Sequence, residues 1–149
     1  MRQFVLKCHD SLGPVKLGMN MQQVHAVLGQ PCHSAEPHER WGIAFPAKDY
    51  FFDNAFQVNY DSNGNVEFVE AAAHDSYVVT FDEIPVHTSQ ATAVLEAIRR
   101  HGAPDENDRE YPCNQVFRDL DLTIYREHGE NDLIDAIGVG QCGYTRRKG

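Results

Sequence analysis

The 149-residue chain is short of positive charge: 13 Lys and Arg stand against 22 Asp and Glu, for a net charge of −9. A surface of that sign repels phosphate backbones, which excludes nucleic acid as a natural partner and favours a basic protein. Cysteine is sparse too. Cys8, Cys32, Cys113 and Cys142 are far apart and form no C-x-x-C, so they read as reduced thiols and not as a disulfide framework. No apolar run approaches the roughly 20 residues of a membrane helix. The opening Met1 to Lys7 lacks the longer apolar stretch and the small-residue cleavage site of a secretory signal. The expectation is a cytoplasmic protein with neither membrane nor nucleic acid as partner.

Motifs of catalysis are missing as well. There is no G-x-S-x-G elbow, and Ser11, Ser34, Ser62, Ser76 and Ser89 fall at turn- or cap-like positions. Cys8 and His9 are adjacent, which on a strand would send their side chains to opposite faces. Gly138-Val139-Gly140 has neither the spacing nor the following helix of a phosphate loop. Paired carboxylates such as Asp82-Glu83, Asp105-Glu106 and Glu67 with Glu70 read as solvated surface. Cys32, His33 and His38, beside Glu36 and Glu39, put zinc-type donors into one loop, but at the spacing of no known metal motif. His9, His25, His74, His87, His101 and His128 are scattered. The reading is therefore no catalytic residue, no cofactor and no metal. A metal-dependent enzyme or ligand-binding protein using the His33/His38 loop is the alternative, and an uncharacterised structural subunit is another.

What is present is an ordinary globular composition, 42% hydrophobic and 23% charged, in a chain long enough to bury its own core. Asn20 with Gln23 forms a capping box, Gly29 supplies a stop and Pro31 forbids continuation, so a short helix is predicted between Gly18 and Pro31. Val24, Val27 and Leu28 would share its buried face. Ala55–Tyr60 and Val66–Glu70 alternate around Asn63-Gly64, the signature of a β-hairpin. Pairing Tyr60 with Val66 places Phe56, Val58, Tyr60, Val66 and Phe68 on the core face. Gln57, Asn59, Glu67 and Val69 then lie on the open face. Tyr77–Phe81 reads as a strand. Thr88 caps a second helix to about His101, with Ala91, Val94, Leu95 and Ile98 buried. Short strands are expected at 116–117, 122–125 and 133–139, the last weakened by Gly138 and Gly140.

The two predicted helices end in Gly-x-Pro at Gly29 and Gly102, 73 positions apart, and each is preceded by a Pro-Val. That pattern suggests a duplication, with pseudo-repeats 1–75 and 76–145 in a single domain and a basic tail over 146–149. The charge divides evenly between the halves: nine acidic against five basic residues in 1–75, and thirteen against eight in 76–149. The expected class is α+β, one continuous antiparallel sheet with two main helices, arranged as two tandem helix-then-sheet repeats.

Leu12-Gly-Pro-Val-Lys-Leu-Gly-Met-Asn20, running on through Val24 to Leu28-Gly-Gln-Pro31, resembles the helix-then-sheet repeat of the β-lactamase-inhibitor-protein-like fold. The Phe56–Tyr60 strand, the Asp-x-x-Gly turn, Val66-Glu-Phe-Val69 and the ending Ile137-Gly-Val-Gly140 with Gly143-Tyr144 are similar to small bacterial proteins that look like immunity proteins of toxin systems. The resemblance implies no catalytic residue. It implies an inhibitor of a cognate toxin or enzyme, a basic protein partner. The contact candidates are Gln57, Asn59, Glu67 and Val69 on the sheet, Thr123 and Tyr125 if their strand joins it, and Trp41 and Tyr50. The last two come from an aromatic group, Trp41, Tyr50, Phe51 and Phe52 among Asp49, Asp53 and Glu39, that reads either as core or as a binding patch.

Overall fold

The computed structural model describes residues 1–127 and 132–148. Arg2–Lys7 forms β1, and a tight turn leads to β2 (Ser11–Leu12) and β3 (Val15–Lys16). Helix α1 spans Met21–Leu28 with the reciprocal capping box in place: the Asn20 and Gln23 side chains each accept the other's backbone N–H at 2.9 Å. Gly29, at φ 87°, ends it. Val24 is fully buried, whereas Val27 is 37% exposed, so the buried stripe is narrower than predicted. Six strands follow: β4 (His33–Ala35), β5 (His38–Arg40), β6 (Ile43–Phe45), β7 (Lys48–Phe51), β8 (Phe56–Tyr60) and β9 (Val66–Ala72).

The second half has fewer strands. β10 (Tyr77–Phe81) turns sharply into β11 (Ile84–Pro85), helix α2 covers Ala91–Arg99, and β12 (Gln115–Phe117), β13 (Leu122–Tyr125) and β14 (Ala136–Gly140) form a meander. Helix α2 starts later than predicted: Gln90, not Thr88, is its cap residue and makes no side-chain cap. The Ala91 N–H instead donates to the Asp132 carbonyl. Its stripe of Ala91, Val94, Leu95 and Ile98 is buried as expected. The C-terminal residues are not a free tail. Tyr144–Lys148 forms a short helix, α3, with Thr145 buried and Arg146 paired to Asp119. His128 and Gly149 lie outside the described residues.

The class is α+β with mostly antiparallel strands, but the strands form three sheets and not one. The largest runs β12-β13-β14-β9-β8-β7-β4, a second runs β11-β10-β1-β2-β3, and β5-β6 stands alone. β1 and β10 pair in parallel, Arg2 opposite Tyr77 through Val5 opposite Thr80. The two large sheets meet in an aromatic knot: Phe4 stacks on Tyr77 at 4.8 Å and takes the Phe56 ring edge-on at 5.6 Å. None of the described helices is long and apolar enough to cross a membrane.

One register differs from the sequence reading. Tyr60 pairs with Val66 as predicted, but a bulge shifts the ladder so that Asn59 pairs with Phe68 and Val58 with Val69. The extra residue, Glu67, reverses every later side chain. Val69 is therefore fully buried in the core and cannot be a contact residue, and Glu67 is buried at the bulge. Phe68 lies on the outer face, where it stacks on Tyr144 at 4.7 Å with the rings 9° from parallel. Gly138 and Gly140 make this possible. A Cβ on Gly138 would stand 2.3 Å from Phe68, and one on Gly140 2.7 Å from Tyr144. The glycines that weaken β14 as a strand are the floor on which two aromatic rings lie flat.

Gly138→Ala is therefore expected to cost about 1–3 kcal/mol in urea denaturation, the usual range for overpacking. The double variant with Phe68→Ala should lose less than the sum of the two single changes, because the ring that the new methyl strikes is gone.

Candidate functional site

The ribbon that begins as the β4–β7 ladder does not stop at the sheet. Past Ala35 and Lys48 come Pro37 and Pro46, which cannot donate to a ladder. Pairing resumes beyond them as the separate β5–β6 hairpin, His38 opposite Phe45 and Arg40 opposite Ile43. Trp41 and Gly42 form its two-residue tip at φ 54° and 75°, the positive values that suit a hairpin to strand twist. On one face His38 stacks on Phe45 at 5.0 Å, and the Arg40 guanidinium sits 5.4 Å over the Trp41 ring. Trp41 is 84% exposed, Ile43 57% and Phe45 39%. An apolar tip of this kind, held on a separate arm, contributes nothing to the core.

The outer face of the large sheet carries most of the other predicted contacts. Cross-strand pairing aligns His33, Tyr50, Gln57, Glu70, Gly138 and Thr123 in a single row. Tyr50 packs against His33 at 5.2 Å and takes the Lys48 ammonium over its ring at 5.2 Å. Gln57 donates to the Asn54 carbonyl at 3.2 Å, and Asn59 hydrogen-bonds to Tyr144. Two residues along its strand from Thr123, Tyr125 is 45% exposed and lines a cleft of about 520 Å³ with Glu70, His87, Glu127, Leu133 and Asp135. Five sequence candidates thus share one face: Tyr50, Gln57, Asn59, Thr123 and Tyr125. Trp41 stands apart on the arm. Sequence reasoning missed the cleft's Glu70, Glu127 and Asp135, which lie on different elements.

Electrostatics distinguish the cleft. Burial raises the Glu70 carboxyl above its ordinary range, against the opposing pull of Lys48. Burial lowers His87, whose Nε2 donates to the Ala71 carbonyl at 3.0 Å. The cleft is thus lined by three carboxylic acids and a partly desolvated imidazole.

No protein-family model matches the chain, and neither does any curated protein or any solved structure. The site must be read from its own geometry.

Besides Glu67, two buried carboxylates complete the polar inventory. Asp49 accepts from Ser34 Oγ at 2.6 Å, Tyr60 OH at 2.8 Å and His25 Nε2 at 2.8 Å. Serine, histidine and aspartate meet here in the wrong order for nucleophilic catalysis, since Ser34 gives its proton's hydrogen bond to Asp49 and not to His25. The arrangement pins α1 to the sheet. Asp121 is the second, held by His9, Gly143 and Thr145. With His9 and Cys142 it forms the one group of potential metal donors found among the described residues. His33 and His38 are not drawn together: one lies on the sheet edge, and the other is stacked on the hairpin.

Asp49→Ala should cost about 1–3 kcal/mol in urea denaturation, because the buried Tyr60 hydroxyl and the partly buried His25 ring lose their common partner. Trp41→Ala should shift stability by no more than about 0.5 kcal/mol, as for other exposed sites. For His87, whose folded-state pKa is lowered, the unfolded chain takes up the proton first as pH falls. Stability should therefore decline below about pH 6.5, and the decline should be shallower in His87→Gln, measured by denaturation at pH 7 and about pH 5.5.

Proposed function

We propose that this chain is a non-enzymatic protein-binding domain, an immunity-like inhibitor that occludes the cleft of a basic toxin or enzyme. The observation that carries the reading is the solvent-exposed Trp41 at the tip of a hairpin standing clear of the core. Large aromatic side chains bury 150–250 Å² each and dominate interface energetics. Leaving one in water at the end of an arm adds nothing to the core of the free protein. In a complex, the tip enters an apolar pocket of the partner, and Ile43 and Phe45 widen the contact.

The acidic residues supply direction. A net charge of −9 steers association with a basic surface and raises the on-rate more than the final affinity. The cleft beside Tyr125, with Glu70, Glu127 and Asp135 around it, has the chemistry to receive a lysine or arginine. Tyr50, Gln57, Asn59 and Thr123 offer adaptable polar and aromatic contacts on the same face. The resemblance to immunity proteins agrees with this picture.

The test uses a basic protein encoded beside this one, purified and titrated calorimetrically. Trp41→Ala should weaken binding by at least about 2 kcal/mol, the scale of an interface hot spot, at unchanged fold stability. Glu70→Gln should slow association and flatten its salt dependence. If the partner binds Trp41→Ala as tightly as the wild type, or if no basic protein binds, the reading falls.

A further inference from the structure

A second constellation lies away from the hairpin, where three turns meet. His9 sits in the turn from β1 to β2, Asp121 in the turn from β12 to β13, and Cys142 between β14 and α3. One donor atom from each, nitrogen, oxygen and sulfur, lies within 4.8 Å of the other two. His9 Nε2 and Asp121 Oδ2 are 2.9 Å apart. Both residues hold left-handed backbone, φ 61° for His9 and 48° for Asp121, a conformation that non-glycine residues rarely adopt.

The carboxylate is held from behind. Thr145 donates to Asp121 Oδ1 from its hydroxyl at 2.7 Å and from its backbone N–H at 2.9 Å, and the Gly143 N–H donates to Oδ2 at 2.8 Å. The Asp121 backbone is fixed as well, its carbonyl accepting the Gly140 N–H at 2.8 Å. Supporting hydrogen bonds of this kind orient metal ligands and tune their strength. In contrast, Cys142 is exposed, as a thiol must be if a metal is to reach it from solvent.

We propose that His9, Asp121 and Cys142 form a zinc site, with water in the fourth position. Two arguments select a metal of this class. A nucleophilic relay would set sulfur and carboxylate on opposite nitrogens of the ring, whereas here sulfur lies close to the nitrogen and the carboxylate oxygen together. The donor set is one soft, one borderline and one hard ligand, which suits zinc and excludes calcium and magnesium, both of which demand oxygen. Zinc bonds of about 2.0–2.3 Å in a tetrahedron hold the ligand atoms roughly 3.3–3.6 Å apart. The His9–Asp121 contact then opens by a few tenths of an ångström, and Cys142 closes by side-chain rotation. On binding, the thiol proton is released, and the imidazole proton shared with Asp121 passes to Nδ1, leaving Nε2 free to coordinate.

The experiment titrates the full chain, purified without a histidine tag, with cobalt(II), and then displaces cobalt with zinc against a competing chelator. The wild type should bind one equivalent and show the thiolate-to-cobalt charge-transfer band. Cys142→Ser should lose that band and weaken zinc binding by at least about tenfold. His9→Asn, which tolerates left-handed backbone, should weaken it similarly while retaining the fold. Cys32→Ser, at an exposed thiol elsewhere, should change neither. The proposal is overturned if the wild type shows no charge-transfer band, or if Cys142→Ser keeps it. It is equally overturned if Cys32→Ser loses the band, which would assign the metal to the loop of His33 and His38.

Discussion

A single extra residue in β9 governs much of this architecture. The bulge at Glu67 turns two carbonyl groups out of the ladder, and the rest of the chain supplies their partners. Val66 accepts from the Gly18 N–H and the Gln141 amide, and Glu67 accepts from the Gln141 N–H, all at 2.9 Å. Gly18 leads into α1 and Gln141 leads into Cys142 and α3, so the bulge joins the first helix to the last. By reversing the face of Phe68 it also creates the aromatic platform on which Tyr144 rests. Without it, α3 would have no stack to sit on, and the support that Thr145 and Gly143 give Asp121 would be lost with it.

Local signals in the sequence were legible, and non-local ones were not. The capping box and Gly29 define α1 because every residue involved lies within one turn of its partner. The Asn63-Gly64 turn and the α2 stripe were legible for the same reason. A period-two pattern, however, cannot register an inserted residue, so Phe68 and Val69 exchanged faces. The pairing of β1 with β10 spans 75 positions, and His9 meets Asp121 across 112; no spacing rule reaches so far. Trp41 and Tyr50 were legible as aromatic residues with acidic neighbours. What separates them, the ladder break at Pro37 and Pro46, acquires its meaning only once the flanking strands are known to pair.

The acidic excess has more than one use. Asp49 and Asp121 are inside the protein as hydrogen-bond hubs, each with a histidine. Two further described histidines, His74 and His101, pair with Asp53 and Asp82 at 2.8 Å. Imidazole rings thus supply hydrogen-bond partners to carboxylates for which lysine and arginine are too few. Glu70, Glu127 and Asp135 gather instead around an open cleft. The same net charge divides into internal fasteners and an outward field, and only the second is available to a partner.

The proline break at the base of the hairpin has an evolutionary corollary. Because β5 and β6 pair only with each other, mutations at the tip are not filtered by the demands of the core. Such an arm can accumulate changes more freely than the scaffold beneath it. Lineages sharing this fold would then diverge fastest at positions 38–45, and a chimaera that exchanged only those residues would leave the frame beneath them intact.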